Sequence, residues 1–201
     1  MASRLQNWYW FDAFGPQAAS LVGAEVRIAT LGFASVADFQ ISFAGADLRT
    51  DGIIDADTLA ALSSVESSDG RLSPHFRIAE FRSKATGQIL VHRELLRGLE
   101  ALRDAIGTVS VIHGFRTPED EERIKKQGGQ PAKQSQHKCG TAADIPLVDF
   151  VAVRGLNVFS GIGCQDEVGG RVRHVDVRHA GPNNLTKSTP NDPAIWVYER
   201  S

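Results

Sequence analysis

Three features are scarce in this chain of 201 residues: cysteine, net charge and long apolar runs. Cys139 and Cys164 are too few for a disulfide scaffold, so two buried free thiols are favoured, although a single bridge between them stays open. The formal net charge is −2, whereas nucleic-acid-binding proteins usually carry a strong basic excess. No apolar run approaches the roughly 20 residues that a membrane-spanning helix needs. We therefore expect a globular protein with neither a nucleic-acid partner nor a membrane segment.

The start of the chain also lacks a recognisable export signal. It has one early arginine, Arg4, but polar residues and Asp12 interrupt the aromatic residues that follow. No uninterrupted apolar core with a cleavage site appears. We therefore expect no secretory signal, so a protein that acts outside the cytoplasm would need another route of export.

The length suits a small domain of about 60 residues followed by a medium-sized one. We predict three parts in this order: a helical domain over residues 1–65, a linker over 66–73, and a second domain over 74–201. In the first domain, helices are expected over 18–30, after an N-cap at Ser35, and after an N-cap at Asp57. Residues 63–73 are rich in serine and poor in apolar residues, which is typical of a linker.

The second domain mixes helical and strand patterns. Its clearest helix runs from His92 to Ile106, because leucines recur at three- and four-residue steps, and Gly107 is placed to end it. Residues Pro118 to Lys126 are typical of a short exposed helix that begins at proline. Short β-branched or alternating runs predict strands at 109–112, 142–146, 158–161 and 171–178.

The segment from Ser135 to Asp144 carries the sharpest chemical signal. If His137 and Asp144 bind one metal ion, the chain has to turn between them, because on a continuous helix they would lie about 10 Å apart along the axis. Gly140 is the residue that permits such a turn. We therefore predict a turn at Gly140, followed by a strand from which Asp144 projects.

A third ligand is expected from the alternating segment 171–178. Its period of two predicts one shared face for Val172, His174, Asp176 and Arg178. His179 would then point to the opposite face. Two histidines and one aspartate are a typical catalytic zinc set that leaves a fourth position for water. Such a metal ion lowers the pKa of that water to about 7 and polarises a scissile carbonyl.

Three segments of the first domain carry a family likeness. They are Val36-Ala37-Asp38-Phe39-Gln40, Asp51-Gly52-Ile53-Ile54 and Asp57-Thr58-Leu59-Ala60-Ala61-Leu62. Together they resemble the three-helix peptidoglycan-binding domain that accompanies many cell-wall hydrolases. The resemblance implies that this domain targets bacterial peptidoglycan. A helical cap that only supports the larger domain is the alternative.

A more specific set of motifs lies in the second domain. It consists of Phe76, Glu80 and Phe81, Gly114-Phe115-Arg116-Thr117, Ser135-x-His137-x-x-Gly140-x-Ala142-x-Asp144, Gly161-Ile162-Gly163, and His174-Val175-Asp176-Val177-Arg178. Over residues 74–181 this pattern resembles the M15 family of zinc D-Ala-D-Ala carboxypeptidases, which includes wall carboxypeptidases, dipeptidases and phage endolysins. The resemblance implies an α+β fold. In that fold a small antiparallel sheet with flanking helices carries the zinc site, and here the small three-helix module precedes it.

The resemblance also implies roles for single side chains. It makes His137, Asp144 and His174 the zinc ligands. Arg116 would bind substrate and help to stabilise the developing oxyanion, since a fixed cation suits the charge that builds on that oxygen. Ser135 would lie near the bound peptide.

The general base is the role that the motifs define least. Several family members place an acid three residues before the last zinc histidine, but Arg171 stands there in this chain. Our preferred catalytic base is Asp176, which would alternatively orient a ligand of the metal. Glu167 and Asp166, in the preceding glycine-rich loop, are the rival candidates.

These patterns predict a zinc metallopeptidase that hydrolyses peptide bonds of bacterial peptidoglycan, as a D,D-carboxypeptidase or an endopeptidase. The lack of a secretory signal favours a phage endolysin, which would leave the host cytoplasm through a pore-forming partner and then attack the cell wall. A bacterial enzyme exported by other means is the second choice. We expect a monomer, although no pattern in the sequence determines the oligomeric state.

Two other functions stay open at this stage. Because Arg171 stands where an acid is expected, one alternative is a catalytically inactive wall-binding or structural protein that keeps its zinc site. A hydrolase of small dipeptides on the same scaffold is the third alternative, but such an enzyme would not need a wall-binding module.

Overall fold

The structure is a computed structural model, and it describes residues 23–198. Helices within that range are α1 (Ala24–Thr30), α2 (Val36–Ser42), α3 (Ala56–Ser67), α4 (Ile78–Phe81), α5 (Arg93–Ile106), α6 (Pro118–Lys126) and α7 (Phe150–Gly155). Strands are β1 (Ala142–Val148), β2 (Gly161–Gln165), β3 (Val172–Asp176) and β4 (Ala194–Tyr198). The predictions for residues 1–22, including the export signal and the first part of the 18–30 helix, lie outside the described residues. No helix in the described range has both the length and the apolar character to cross a bilayer.

Two of the first three helices begin at side-chain N-caps. The Ser35 hydroxyl accepts a hydrogen bond from the Asp38 amide at 3.1 Å, which confirms the predicted start of α2. In α3 the cap is Asp55, which accepts from the Thr58 amide at 2.8 Å. The predicted cap at Asp57 is therefore wrong by two residues. Asp57 lies in the first turn, where its charge suits the helix dipole.

The segment predicted as a linker is partly helical and packed. Helix α3 continues to Ser67, so it takes in the first residues of that segment. Val65 and Leu72 are fully buried, and the Leu72 carbonyl accepts a hydrogen bond from the Ala44 amide at 3.1 Å. The serine-rich composition suggested a flexible tether, but these two apolar side chains hold the segment against the core.

One hydrophobic cluster runs through both predicted domains, with members from α1, α2, α3, α5 and the sheet. A buried arginine at the start of α5 adds polar contacts across the same boundary. The Arg93 guanidinium donates to the carbonyl oxygens of Gln40 at 2.7 Å and Leu48 at 2.8 Å. The helical part and the sheet-bearing part therefore pack directly against each other.

Helices α5 and α6 confirm the sequence predictions closely. Helix α5 follows His92 as its N-cap and ends at Gly107, whose φ of 89° favours glycine. Helix α6 has the predicted bounds and begins with Pro118 at its first turn. Leucines of α5 face the core, because their spacing places them on one side of the helix.

The four strands form a small mixed sheet in the order β1-β3-β2-β4. Strand β3 pairs antiparallel with both β1 and β2, whereas β4 pairs with β2 in parallel. The predicted α+β class, with a small sheet flanked by helices, is confirmed. The prediction of a purely antiparallel sheet is wrong, because β4, which was not predicted, pairs with β2 in parallel.

Two strand predictions need correction. Residues 109–112 form no strand, because few of their backbone groups meet a partner. The Ile112 amide donates to the Asp144 carbonyl at 2.8 Å, and only the next residue, His113, forms a bridge with β1. Strand β2 begins at Gly161, where the predicted strand 158–161 ends.

The two cysteines are both free thiols, as predicted, but only Cys164 is buried. Cys164 lies in β2 and belongs to the hydrophobic core. Cys139 is half-buried, and its Sγ accepts a hydrogen bond from the Asn183 side-chain amide at 3.1 Å.

Candidate metal centre

His137 reaches the site from a short 3₁₀ turn, Gln136–Cys139, which directly precedes β1. Gly140 ends this turn with a φ of 66°, in the left-handed region that favours glycine. A Cβ atom at Gly140 would lie 2.6 Å from the Leu90 carbonyl oxygen, so the close approach also requires glycine. The predicted turn between His137 and Asp144 is therefore present, and it points both side chains at one place.

Asp144 and His174 are brought together by strand pairing. They are direct cross-strand neighbours in the antiparallel pair of β1 and β3. Opposite residues in such a pair project from the same face with their Cβ atoms about 4.5 to 5.5 Å apart. The sheet therefore delivers two of the predicted ligands, and the turn before β1 delivers the third.

The three side chains converge on one point. His137 Nε2 lies 3.3 Å from His174 Nδ1 and 3.3 Å from Asp144 Oδ1. His174 Nδ1 lies 3.0 Å from the same Asp144 oxygen. His137 and His174 are buried, and Asp144 is nearly so. This cluster of His137, Asp144 and His174 could hold a metal ion.

The second nitrogen of each histidine has a partner that sets the ring's orientation. His137 Nδ1 lies 2.7 Å from the Gly114 carbonyl oxygen, to which it can only donate. His174 Nε2 lies 3.3 Å from Asp176 Oδ2 and donates to that carboxylate. In the neutral rings, the nitrogens that face the cluster therefore keep their lone pairs for a metal ion, which is the usual arrangement around ligating histidines.

Asp176 contacts His174 on the side of the ring away from the cluster, and it also lines the cleft. Its side chain is fully buried, and the Arg178 guanidinium donates to both carboxylate oxygens, at 2.9 and 2.6 Å. Burial opposes ionisation, but the hydrogen bonds from Arg178 and His174 outweigh it and lower the pKa of Asp176 to about 2. A Cβ atom at Gly161 would lie 2.2 Å from Asp176 Oδ2, so glycine there makes room for this carboxylate.

Arg116 contacts the ligand set directly. Its Nη2 donates to Asp144 Oδ2 at 2.6 Å, which leaves Oδ1 facing the histidines. His113 Nδ1 lies 3.5 Å from the same Oδ2. The sequence predicts that Arg116 binds substrate. In the structure its guanidinium contacts Oδ2 of Asp144, one of the candidate metal ligands, and Arg116 lines the same cleft.

The pKa of Asp144 is lowered, whereas the pKa values of the two histidines shift in opposite directions. Burial opposes the charge on Asp144, but the close contacts with His113, His137 and His174 favour the carboxylate and hold the pKa of Asp144 well below its usual range. Burial also lowers the pKa of His137. For His174 the burial effect is outweighed by the hydrogen bonds to Asp144 and Asp176, so the pKa of His174 is raised. A negative Asp144 between two imidazoles is the charge pattern that a divalent cation would neutralise.

The remaining predicted residues separate into two groups. Ser135 is buried just before the 3₁₀ turn and lines the cleft. Asp166 and Glu167 lie in the turn between β2 and β3, and neither lines the cleft. Arg171 is exposed just before β3, donates to the Leu147 carbonyl and is also outside the cleft. The structure therefore places Ser135 in the cleft that holds the metal cluster and leaves Asp166 and Glu167 outside that cleft.

The cluster lies in a cleft of about 980 Å³. The cleft is lined by residues of α4, α6, the 111–116 segment, the loop 127–136, β3 and β4. His113 forms a bridge with β1, and β4 pairs with β2, so these two lining segments lie at opposite edges of the sheet, with the ligand-bearing strands between them.

Two aromatic residues of the site were missed by the sequence reasoning. The Trp196 ring centre lies 5.1 Å from that of His174, and the Tyr198 ring centre lies 6.4 Å from it. Their strand pattern, Ala194-Ile195-Trp196-Val197-Tyr198, is rich in β-branched and aromatic residues, which is a strand signal. Its period of two would have placed both rings on one face, but not beside His174.

Comparisons with known proteins add no family assignment. No protein-family model matches the chain. No curated protein matches it either.

Proposed function

We propose that this protein is a zinc-dependent peptidase that acts on the peptides of bacterial peptidoglycan. The observation that carries the proposal is the convergence of His137, Asp144 and His174, whose facing atoms lie 3.0 to 3.3 Å apart. In a tetrahedral site with bonds of about 2.0 to 2.1 Å, two ligand atoms are separated by roughly 3.3 Å. The spacing of these three atoms therefore suits three ligands of a tetrahedral zinc ion, whose fourth position would take a water molecule.

The donor set also favours zinc over other divalent ions. Two imidazole nitrogens and one carboxylate suit zinc, whereas calcium and magnesium prefer oxygen ligands alone. When bound, zinc acts as a Lewis acid that polarises a carbonyl group and makes water a nucleophile near neutral pH.

The protein's own residues would supply orientation and charge. Asp176 holds the His174 ring so that Nδ1 faces the cluster. Arg116 is partly exposed in the cleft beside the cluster, where its cation can stabilise negative charge that develops on a carbonyl oxygen. Ser135 lines the same cleft, within reach of a bound peptide.

The choice of substrate rests on the motifs rather than on the geometry. The order and spacing of the ligands resemble the M15 peptidases, and the three helices before them resemble a wall-binding domain. The volume of the cleft around the cluster, about 980 Å³, supports a substrate of the size of a short peptide. A D,D-carboxypeptidase and an endopeptidase both remain within this proposal, and endolysin-like lysis of the cell wall is the biological role that we favour.

One observation favours a second candidate, a catalytically inactive wall-binding or structural protein that retains a zinc site. Both oxygens of Asp176 are engaged behind His174, which suits an orienting group better than a general base. The rivals Asp166 and Glu167 lie outside the cleft. A zinc ion in such a protein would add stability alone.

Metal removal and amine release test the proposal together. Zinc-loaded protein should release new amino groups from purified peptidoglycan, a chelator should abolish that release, and added zinc should restore it. His174→Ala should lose zinc and activity, whereas His179→Ala is the matched control, since His179 hydrogen-bonds Ser160 and lies outside the cleft. Full release of amino groups after complete metal removal would refute the proposal. Stoichiometric zinc and wall binding without any release would favour the inactive protein.

A further inference from the structure

Arg173 differs from the other two arginines beside the metal cluster. Arg116 and Arg178 each form an ion pair with a carboxylate of the site. Within residues 23–198, Arg173 forms no ion pair, and its side-chain hydrogen bond runs from Nη1 to Gln165 Oε1 at 3.1 Å. A guanidinium group has five N–H donors, so most of the donors of Arg173 are available to a ligand.

A β-bulge directs Arg173 into the cleft. Gly163 pairs with His174 and Cys164 pairs with Val172, so Arg173 is the extra residue of β3. In a regular strand Arg173 and His174 would point to opposite faces, yet both line the cleft, and Val172 belongs to the hydrophobic core. The predicted common face of Val172 and His174 is therefore wrong. Bulges often re-aim a side chain beside a site in this way.

Tyr198 links the guanidinium to the metal cluster. The Cζ atom of Arg173 lies 5.0 Å from the Tyr198 ring centre, and that ring centre lies 6.4 Å from the His174 ring centre. One residue of extended peptide spans about 3.3 to 3.6 Å. About two or three residues of substrate therefore cover the distance from the cluster to Arg173.

We propose that Arg173 and Tyr198 form a carboxylate-binding subsite of the cleft. Arg173 binds a free carboxylate of the substrate through paired N–H donors, and the Tyr198 ring packs against the adjoining chain. The ligand class is an anionic peptide whose free carboxylate lies about two or three residues from the scissile bond. That the ligand is a peptide rests on the proposed peptidase function. A peptide of the same shape that carries an amide in place of the carboxylate binds the subsite poorly.

Matched acid and amide peptides test the subsite. The full-length protein is titrated with synthetic stem-type peptides that carry Glu or Gln at each of the three positions on either side of the candidate scissile bond. Binding is measured by calorimetry with zinc-loaded and with metal-free protein, and KM and kcat are measured with the zinc-loaded protein. At one position the Glu peptide should bind wild type about tenfold more tightly than the Gln peptide. An exposed hydrogen bond between charged groups contributes only modestly to the binding free energy, so a larger preference is not expected.

Arg173→Gln should abolish that preference by raising KM for the Glu peptide, while kcat, zinc content and the thermal midpoint stay unchanged. Arg171→Gln is the matched control, because Arg171 is an exposed arginine two positions away that does not line the cleft, and it should keep the preference. The subsite is overturned if wild type binds acid and amide peptides equally, or if Arg173→Gln keeps the preference. Acid-selective binding without any hydrolysis would instead support the subsite and count against the peptidase function.

Discussion

Replacing Asp176 with asparagine separates an orienting role from a role as general base. Asp176 is fully buried, accepts two hydrogen bonds from the Arg178 guanidinium and holds His174 Nε2. Asparagine keeps the shape of the side chain but removes its charge and one acceptor oxygen. The change therefore weakens the contacts behind His174 without touching the three atoms that face the metal.

The size of the effect follows from this environment. Breaking a fully buried ion pair typically costs about 3 to 5 kcal/mol. The Arg178 side chain keeps 14% of its surface exposed, so water partly compensates its charge. We therefore expect the free energy of unfolding to fall by about 2 to 3 kcal/mol. Loss of a partner that orients a ligating histidine typically lowers metal affinity about 10- to 100-fold.

Zinc affinity is measured by competition with a chromophoric chelator, and activity is measured as amine release from peptidoglycan at saturating zinc. If Asp176 orients His174, Asp176→Asn loses zinc affinity but recovers most of its activity once zinc saturates the site. Glu167→Gln is the control, since Glu167 lies outside the cleft and should change neither quantity. Unchanged zinc affinity together with lost activity at saturating zinc would refute the reasoning and identify Asp176 as the base.

Two further predictions concern the fold around the site. Burial opposes ionisation of Asp120, but hydrogen bonds from Ser83, Thr117 and Ala85 outweigh it and lower the pKa of Asp120. The charged carboxylate therefore stabilises the protein above its unfolded pKa of about 3.9, and this contribution is lost as the pH falls through the lower folded pKa. In urea unfolding, Asp120→Asn should have a lower free energy of unfolding than wild type at neutral pH, and this difference should vanish in acid. An equal difference at all pH values would contradict this prediction. Arg93→Met should lower the free energy of unfolding by about 2 to 4 kcal/mol, because two buried carbonyl groups lose their hydrogen-bond donor. Wild type should unfold in a single transition. Two separate transitions, of which only one shifts in the variant, would show that the two parts of the chain fold independently.

Much of the site could be predicted because its residues lie in short local patterns. The turn at Gly140 and the strands around Asp144 and His174 follow from glycine freedom and from alternation, which depend on neighbours along the chain. The helix from Arg93 to Ile106 follows from leucine spacing in the same way. These features need no knowledge of distant contacts.

Other features escaped because they depend on contacts between distant segments. The bulge at Arg173 arises from the register between β2 and β3, so alternation alone misassigned the face of Val172. The position of β4 beside β2 brings Trp196 and Tyr198 to His174 from more than twenty residues away. The segment before Leu72 has the composition of a linker, yet packing against the core keeps it ordered.

The amino-acid sequence by itself determined which side chains can bind a metal ion and in what order they follow along the chain, because ligand chemistry and turn chemistry belong to single residues and short spacings. Only the tertiary structure decided that His137, Asp144 and His174 share one point, that Asp176 lies behind His174, and that Arg173 faces the cleft. The physical reason is that strand register and sheet order set these distances, and both result from the burial of apolar surface across the whole fold.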